Sequence, residues 1–207
     1  MKNPRKAIVF GSLLLASVGV SACSANIPRF GLGGQYEEGK DQFLRGRGGD
    51  MDKAVFALET VVTQNPTYKD SLTLLGRAYY GKARYRDAFL ILQRALAVRG
   101  DDEIAWLSLG LTEMRLGQDE KAIETLKGAI TLASKALVPG YLDYPQWDSK
   151  GSVRTALRRS AFSLTKGIED KQNIIKSTET LLLQIDDEAN YQRNDHIRQS
   201  YPLYGGN

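Results

Sequence analysis

Residues 69–136 decide the fold, because they contain two consecutive units of equal length with no gap between them. Residues 69–102 have the sequence KDSLTLLGRAYYGKARYRDAFLILQRALAVRGDD, and residues 103–136 have EIAWLSLGLTEMRLGQDEKAIETLKGAITLASKA. The two units share small and apolar residues at matching positions: Leu72 and Trp106, Leu75 and Leu109, Gly76 and Gly110, Ala88 and Ala122, Leu92 and Leu126, Ala95 and Ala129. A period of this length is typical of an array of stacked structural units.

Each unit is predicted to be a pair of packed α-helices. Leu72, Leu75 and Tyr79 recur at helical spacing and form one apolar face of a first helix. Gly76 on that helix and Ala88 on the second are small, which allows the two helices to approach closely. The unit is therefore a helix-turn-helix that must stack on neighbours to bury its apolar face.

This order of residues resembles the tetratricopeptide family, and the resemblance implies an all-α solenoid. One more unit is predicted upstream, over residues 36–68, because Ala54 and Leu58 lie one full period before Ala88 and Leu92. It is degenerate, since its first helix fits only with a longer loop at the glycine-rich segment 46–49. The predicted array covers 36–136 in three units: 36–68, 69–102 and 103–136.

The region beyond residue 136 departs from the repeat. Apolar residues recur there at helical spacing and predict a helical hairpin, similar to the atypical terminal units that close a solenoid. The predicted segments are an aromatic connector over 137–150, the hairpin over 151–192 and a polar, mobile tail over 193–207. The predicted fold class is all-α, a tetratricopeptide-type helix-turn-helix solenoid with an atypical C-terminal helical hairpin.

The N-terminus has the pattern of a lipoprotein signal peptide. Residues 1–22 place three basic residues before a short apolar run, as secretory signals do. They end in small residues before Cys23, the only cysteine, which resembles the bacterial lipobox. The resemblance implies cleavage before Cys23 and its acylation; the alternative is a free thiol near an ordinary cleavage site. Residues 23–35 contain Pro28 and several glycines and are predicted to be a flexible tether.

The lipobox resemblance also implies a location. A chain acylated at Cys23, with palmitate among its acyl chains, is anchored to a bacterial membrane rather than spanning it. Ser24 follows the cysteine, where lipoproteins kept in the inner membrane often have Asp, so we expect the outer membrane, facing the periplasm. Without residues 1–22 the chain has 25 basic and 24 acidic residues, a balance that argues against nucleic acid as a partner.

Motifs for catalysis or metal binding are absent from the sequence. His196 is the only histidine and Cys23 the only cysteine, so a zinc site of these residue types is not expected. There is no HExxH, no P-loop lysine and no GxSxG serine. We therefore predict neither an enzyme nor a cofactor or metal site, and His196 is interpreted as an exposed surface residue.

A partner site is implied by the family resemblance. In family members the first helices of the units line a concave groove that holds a partner protein. The positions of this chain that match the groove positions include Asp70, Thr73, Arg77, Tyr80, Leu107, Leu111, Met114 and Arg115. Leu111 and Met114 are apolar outside the packing stripe, which favours a binding surface. The competing interpretation is that Leu107 and Leu111 pack against the C-terminal hairpin, folded back into the groove.

Two clusters of side chains, one basic and one aromatic, each allow two interpretations. Arg154, Arg158, Arg159 and Lys166 form either a solvated helix face or a contact for anionic lipid headgroups or an acidic partner. Tyr141, Tyr144 and Trp147 either pack under the hairpin or contact a partner such as a glycan.

The predicted function is that of a membrane-anchored scaffold or assembly factor in the bacterial cell envelope, with a peptide or helix of a partner in the groove. A glycan-binding envelope protein that uses the aromatic connector is the alternative. An envelope hydrolase is remote, because no nucleophile and base stand together in the sequence.

Overall fold

The computed structural model describes residues 31–200, and they form eight α-helices and no β-strand. Cys23 and the predicted signal peptide lie outside the described residues. The helices are α1 Gly31–Leu44, α2 Met51–Gln64, α3 Ser71–Gly81, α4 Tyr85–Val98, α5 Glu103–Arg115, α6 Asp119–Ala136, α7 Ser152–Thr165 and α8 Lys171–Ser200. None of these helices is both long enough and apolar enough to cross a bilayer. The prediction of an all-α tetratricopeptide-type solenoid is confirmed.

A glycine marks the crossing of the two helices in each of three hairpins. A Cβ atom on Gly76 would lie 2.6 Å from Leu92 Cγ, and one on Gly110 would lie 2.6 Å from Leu126 Cγ. Gly39 has the same role in the α1–α2 pair, where a Cβ would lie 2.7 Å from Leu58 Cγ. Each crossing therefore brings one helix backbone directly against a leucine of its partner helix.

Helix α1 begins at Gly31, so residues 31–35 are helical where a flexible tether is predicted from the sequence. Glycines disfavour a helix in isolation. Here the helix packs on α2 through Gly39, and the buried Tyr36 donates a hydrogen bond to Asp70 Oδ1 at 2.5 Å. Tertiary contacts of this kind outweigh the low helix propensity of the segment.

Helix α8 runs from Lys171 to Ser200, past residue 192, where the sequence analysis places the start of a mobile tail. The correction has two physical causes. No glycine or proline interrupts residues 171–200. In addition, the buried Gln192 donates hydrogen bonds to Gln146 O at 2.9 Å and to Glu188 Oε1 at 2.6 Å, which attaches this turn to the connector.

Two apolar cores follow each other along the solenoid. The first is built by α1 to α4 and the start of α5, and the second by α5 to α8. Tyr80 and Trp106 pack against both. Between α3 and α5, Asp102 accepts hydrogen bonds from Thr73 Oγ1 at 2.7 Å and from Ala105 N at 2.9 Å. Asp102 therefore caps α5 and ties two repeats together.

Candidate functional site: a cleft between α1 and α8

Helix α8 covers the part of the concave surface that the third repeat forms. Leu107, Leu111 and Met114 are at most 1% exposed. They belong to the same core as five residues of α8, which are Ile174, Ile175, Leu181, Leu182 and Ile185. The expectation that these three groove positions bind a partner is therefore corrected, because the chain's own C-terminal hairpin already packs on them.

The part formed by the second repeat remains open. Helix α3 is its floor, α1 is one wall and α8 is the opposite wall. We call this space the α1–α8 cleft. It has a polar half of about 430 Å³ at the start of α3 and an apolar half of about 260 Å³ at its end. Leu44, Arg77 and Asp186 line both halves.

An ion pair between Arg77 and Asp186 divides the cleft. Arg77 Nη1 lies 3.0 Å from Asp186 Oδ1, and Nη2 lies 2.6 Å from Oδ2. The guanidinium carbon also lies 4.9 Å from the centre of the Phe43 ring on α1. Burial lowers the pKa of Arg77, but Asp186 raises it further, so the net shift is above the ordinary value. Arg77 thus stays charged and joins α1, α3 and α8 at one point.

The polar half is lined by carboxylates that already hold hydrogen-bond donors. Tyr36 donates to Asp70, and Tyr141 of the connector donates to Glu103. Burial, followed by the neighbouring carboxylate, raises the pKa of both phenols, so they remain neutral donors. Lysine and arginine also line this half, at Lys40, Lys69, Arg99 and Arg193. Both signs of charge therefore face the same space.

The apolar half is shaped to take an apolar side chain. It is lined on the α1 side by Phe43, Leu44 and Met51, and on the α8 side by Leu182 and Leu183. Leu183 is 56% exposed, so its side chain is accessible from solvent.

A network of three polar side chains closes the end of the apolar half. Tyr80 donates to Glu179 Oε1 at 2.5 Å. Arg115 contacts both, with Nε 3.1 Å from the Tyr80 hydroxyl and Nη2 3.0 Å from Glu179 Oε1. Burial raises the pKa of Tyr80 above its ordinary value, and the bond to Glu179 adds to the rise. The network fixes α8 to the ends of α3 and α5.

The predicted groove residues are thus separated into three groups. Asp70, Thr73 and Arg77 line the polar half, and Tyr80 lines the apolar half. Arg115 contacts α8 instead of facing the cleft. Leu107, Leu111 and Met114 are core residues, although Leu111 reaches the wall of the apolar half.

Several cleft residues were missed by the sequence analysis, because α1 and α8 lie outside the clean repeat. They are Tyr36, Phe43, Leu183 and Asp186. The signal that could have indicated a packed α1 is the spacing of Tyr36 and Phe43, which are two helical turns apart.

One residue of the aromatic connector, Trp147, packs inside the protein. Trp147 is 3% exposed, and its ring centre lies 4.6 Å from that of Tyr141. A buried indole cannot stack on a sugar, so Trp147 has a packing role. Tyr141 and Tyr144 are partly buried and line the polar half of the cleft, and a glycan contact at these two residues stays a prediction. The side chain of His196 lies outside the described part of α8.

Metal ligation has no support from the described residues. Within residues 31–200 no group of three or more histidine, cysteine, aspartate or glutamate side chains stands close enough to hold an ion. The carboxylates of the polar half instead have partners of their own, as described above.

Two family models match the repeat region. Residues 47–109 and residues 104–135 match family models described as tetratricopeptide repeat. Among solved structures, a crystal structure of MamA is similar at 21% sequence identity and a TM-score of 0.49, covering 77% of this chain and 81% of that chain. No curated protein matches the chain. The family models show that residues 47–109 and 104–135 contain tetratricopeptide repeats, a class of structure whose concave surface serves protein interaction.

Proposed function

We propose that this protein is a membrane-anchored scaffold of a bacterial cell envelope, and that it holds a segment of a partner protein in the α1–α8 cleft. The tetratricopeptide repeats support a role in protein interaction. The lipobox-like sequence before Cys23 supports the anchor. One observation carries the choice of site: among the described residues, α8 packs on Leu107, Leu111 and Met114 of the third repeat and leaves a cleft beside α3 of the second repeat.

The shape of the cleft favours an extended peptide segment over a whole helix. Helix α8 already packs on the third-repeat part of the concave surface, and a helix with side chains is about 10–12 Å across. The apolar half, of about 260 Å³, suits one large apolar side chain beside Phe43 and Leu183. The mixed charges of the polar half suit the polar part of the same segment. The partner is therefore expected to carry an apolar anchor next to polar residues.

Site-specific photocrosslinking in intact cells tests the site. A photoreactive residue at Leu183 is expected to trap one dominant envelope protein. A matched probe at Phe56 on α2, which is 70% exposed and remote from the cleft, is expected to trap none. The cleft is wrong as the site if both positions give the same products, or if only the Phe56 probe gives one.

Anchoring is tested separately through Cys23. The wild-type chain is expected to fractionate with the outer membrane and to incorporate labelled palmitate. Cys23→Ser is expected to lose the label. Incorporation of label into the Cys23→Ser variant would contradict the lipobox, whatever the crosslinking experiment shows.

A further inference from the structure

The outer face of the C-terminal hairpin carries an exposed aromatic ring among basic side chains. Phe162 on α7 is 64% exposed. Arg158 and Arg159 precede it by one helical turn, and Lys166 follows it by one turn. Lys166 Nζ lies 5.2 Å from the centre of the Phe162 ring. The four side chains therefore share one stretch of the α7 surface, which we call the basic patch.

Helix α8 extends the basic patch with one further cation. Arg159, Phe162 and Lys166 border a shallow hollow of about 310 Å³, and Lys176 lines its other side. Asp170 also lines the hollow and lies 3.6 Å from Lys166. The remaining acid nearby, Glu169, is in the exposed turn between the helices. The surface around the basic patch therefore carries four cations, at Arg158, Arg159, Lys166 and Lys176, and two acids.

Most of these cations form no ion pair with any described carboxylate of the protein. Among the side chains that the structure describes, Arg158, Arg159 and Lys176 have no carboxylate within ion-pair distance. Arg154, one turn earlier on α7, differs because it is bonded to Asp148 at 3.1 Å. The basic patch therefore has free positive charge beside an aromatic ring that lies in water.

We propose that the basic patch binds the surface of an anionic membrane. An aromatic ring that projects between long basic side chains matches the headgroup region of a bilayer, where the ring enters the acyl boundary and the cations contact lipid phosphates. Each cation near an anionic surface strengthens binding independently of the others. A protein partner would instead favour an anchor set in a packed pocket, whereas Phe162 projects from the helix. This binding is independent of the cleft and of Cys23.

Vesicle binding by the full chain carrying Cys23→Ser tests the proposal without an acyl anchor. We expect cosedimentation with phosphatidylcholine vesicles that contain phosphatidylglycerol, weakened by salt, and little with phosphatidylcholine alone. Replacement of both Arg158 and Arg159 by Gln is expected to weaken binding about 25-fold, at about fivefold per charge.

A charge-matched control is available on α4. Arg86 and Arg94 flank the exposed Leu90 by one turn on each side, but Asp87 lies next to Arg86. Arg86→Gln with Arg94→Gln removes the same charge and is expected to change binding by less than about twofold. The proposal is overturned if the two double variants lose binding equally, or if the Arg158 and Arg159 variant binds like the parent.

Phe162→Trp distinguishes a membrane from a soluble anion. The emission spectrum of the new indole is obtained by subtracting the spectrum of the parent from that of the variant. When anionic vesicles are added, this emission is expected to shift to the blue, because the new indole enters the bilayer. Two results would overturn the proposal: binding without a blue shift, which indicates an acidic soluble partner, or loss of vesicle binding in millimolar glycerol phosphate at constant ionic strength, which indicates a site for free phosphoesters.

Discussion

The second and third repeats share one backbone but differ in the residues that face the groove. Thr73, Arg77 and Tyr80 of α3 correspond in repeat position to Leu107, Leu111 and Met114 of α5. The residues of α3 hydrogen-bond or form ion pairs and border an open cleft. The residues of α5 are buried together with apolar residues of α8.

This difference shows how a repeat protein divides one concave surface between two tasks. Apolar groove positions lower the free energy when they are covered, and α8 provides that cover. Of the polar groove positions, Arg77 and Tyr80 bond to α8 and Thr73 bonds to Asp102, and space remains beside α8. The chemistry of the groove residues, and not the repeat pattern itself, decides where the surface stays open.

The largest expected effect comes from the covered repeat. Leu111→Ala removes a fully buried side chain and leaves a cavity, so it should lower the free energy of unfolding by about 2–5 kcal/mol. Leu90→Ala, at a position 59% exposed, is the control and should cost less than about 0.5 kcal/mol. Urea titration followed by circular dichroism measures both. Equal costs would mean that α8 does not cover the third repeat.

The crossing glycines sharpen the comparison, because here the two repeats should behave alike. Gly76→Ala and Gly110→Ala each press a Cβ into a leucine and should cost about 1–3 kcal/mol in urea unfolding. Gly128→Ala in α6 meets open space and should stabilise the helix by up to about 1 kcal/mol. Clearly different costs at Gly76 and Gly110 would show that the two helix pairs do not cross in the same way.

The ion pair at the centre of the cleft should have a smaller effect. Arg77→Met leaves Asp186 without its partner and should cost about 1–2 kcal/mol, less than a fully buried pair, because both side chains keep some contact with water. Adding Asp186→Leu should restore part of the loss. If the double variant is as unstable as the sum of the single variants, Arg77 and Asp186 do not act as a pair.

The smallest effect is expected at the network that fixes α8. Tyr80→Phe should cost about 1 kcal/mol at neutral pH, since Glu179 keeps Arg115. The pKa of Tyr80 is raised in the folded state, so the contribution is complete below the unfolded phenol pKa of about 10 and decreases as the pH rises above it. The difference between variant and wild type should therefore shrink in alkaline solution. A constant difference would contradict this role of the phenol.

The sequence predicts the repeats well because their rules are local. Gly76, Ala88 and Leu92 recur one period later as Gly110, Ala122 and Leu126, and the helix pairs follow from that spacing. The α1–α2 pair shows the limit of the rule. Leu58 lies one period before Leu92, whereas Gly39 lies slightly more than one period before Gly76. The additional residues fall in the glycine-rich loop after α1.

The site could be predicted only in part, because it depends on where α8 packs. The repeat positions of Arg77 and Tyr80 are enough to predict that both residues face the groove. Their partners Asp186 and Glu179 lie far along the chain, in a helix outside the repeat pattern. A single sequence does not reveal such a pairing. The apolar character of Leu107, Leu111 and Met114 fits a binding surface and a covered surface equally well, and only the packing of α8 distinguishes them.

Thiol reactivity tests the central claim most directly, that α8 covers the third repeat and leaves the second open. In the Cys23→Ser background no other cysteine is present. Leu183→Cys, at the open apolar half, should react with a maleimide as fast as a free peptide thiol. Met114→Cys, at a position 0% exposed, should react at least about 100-fold more slowly, because α8 must first detach. Equal rates in folded protein would contradict the claim.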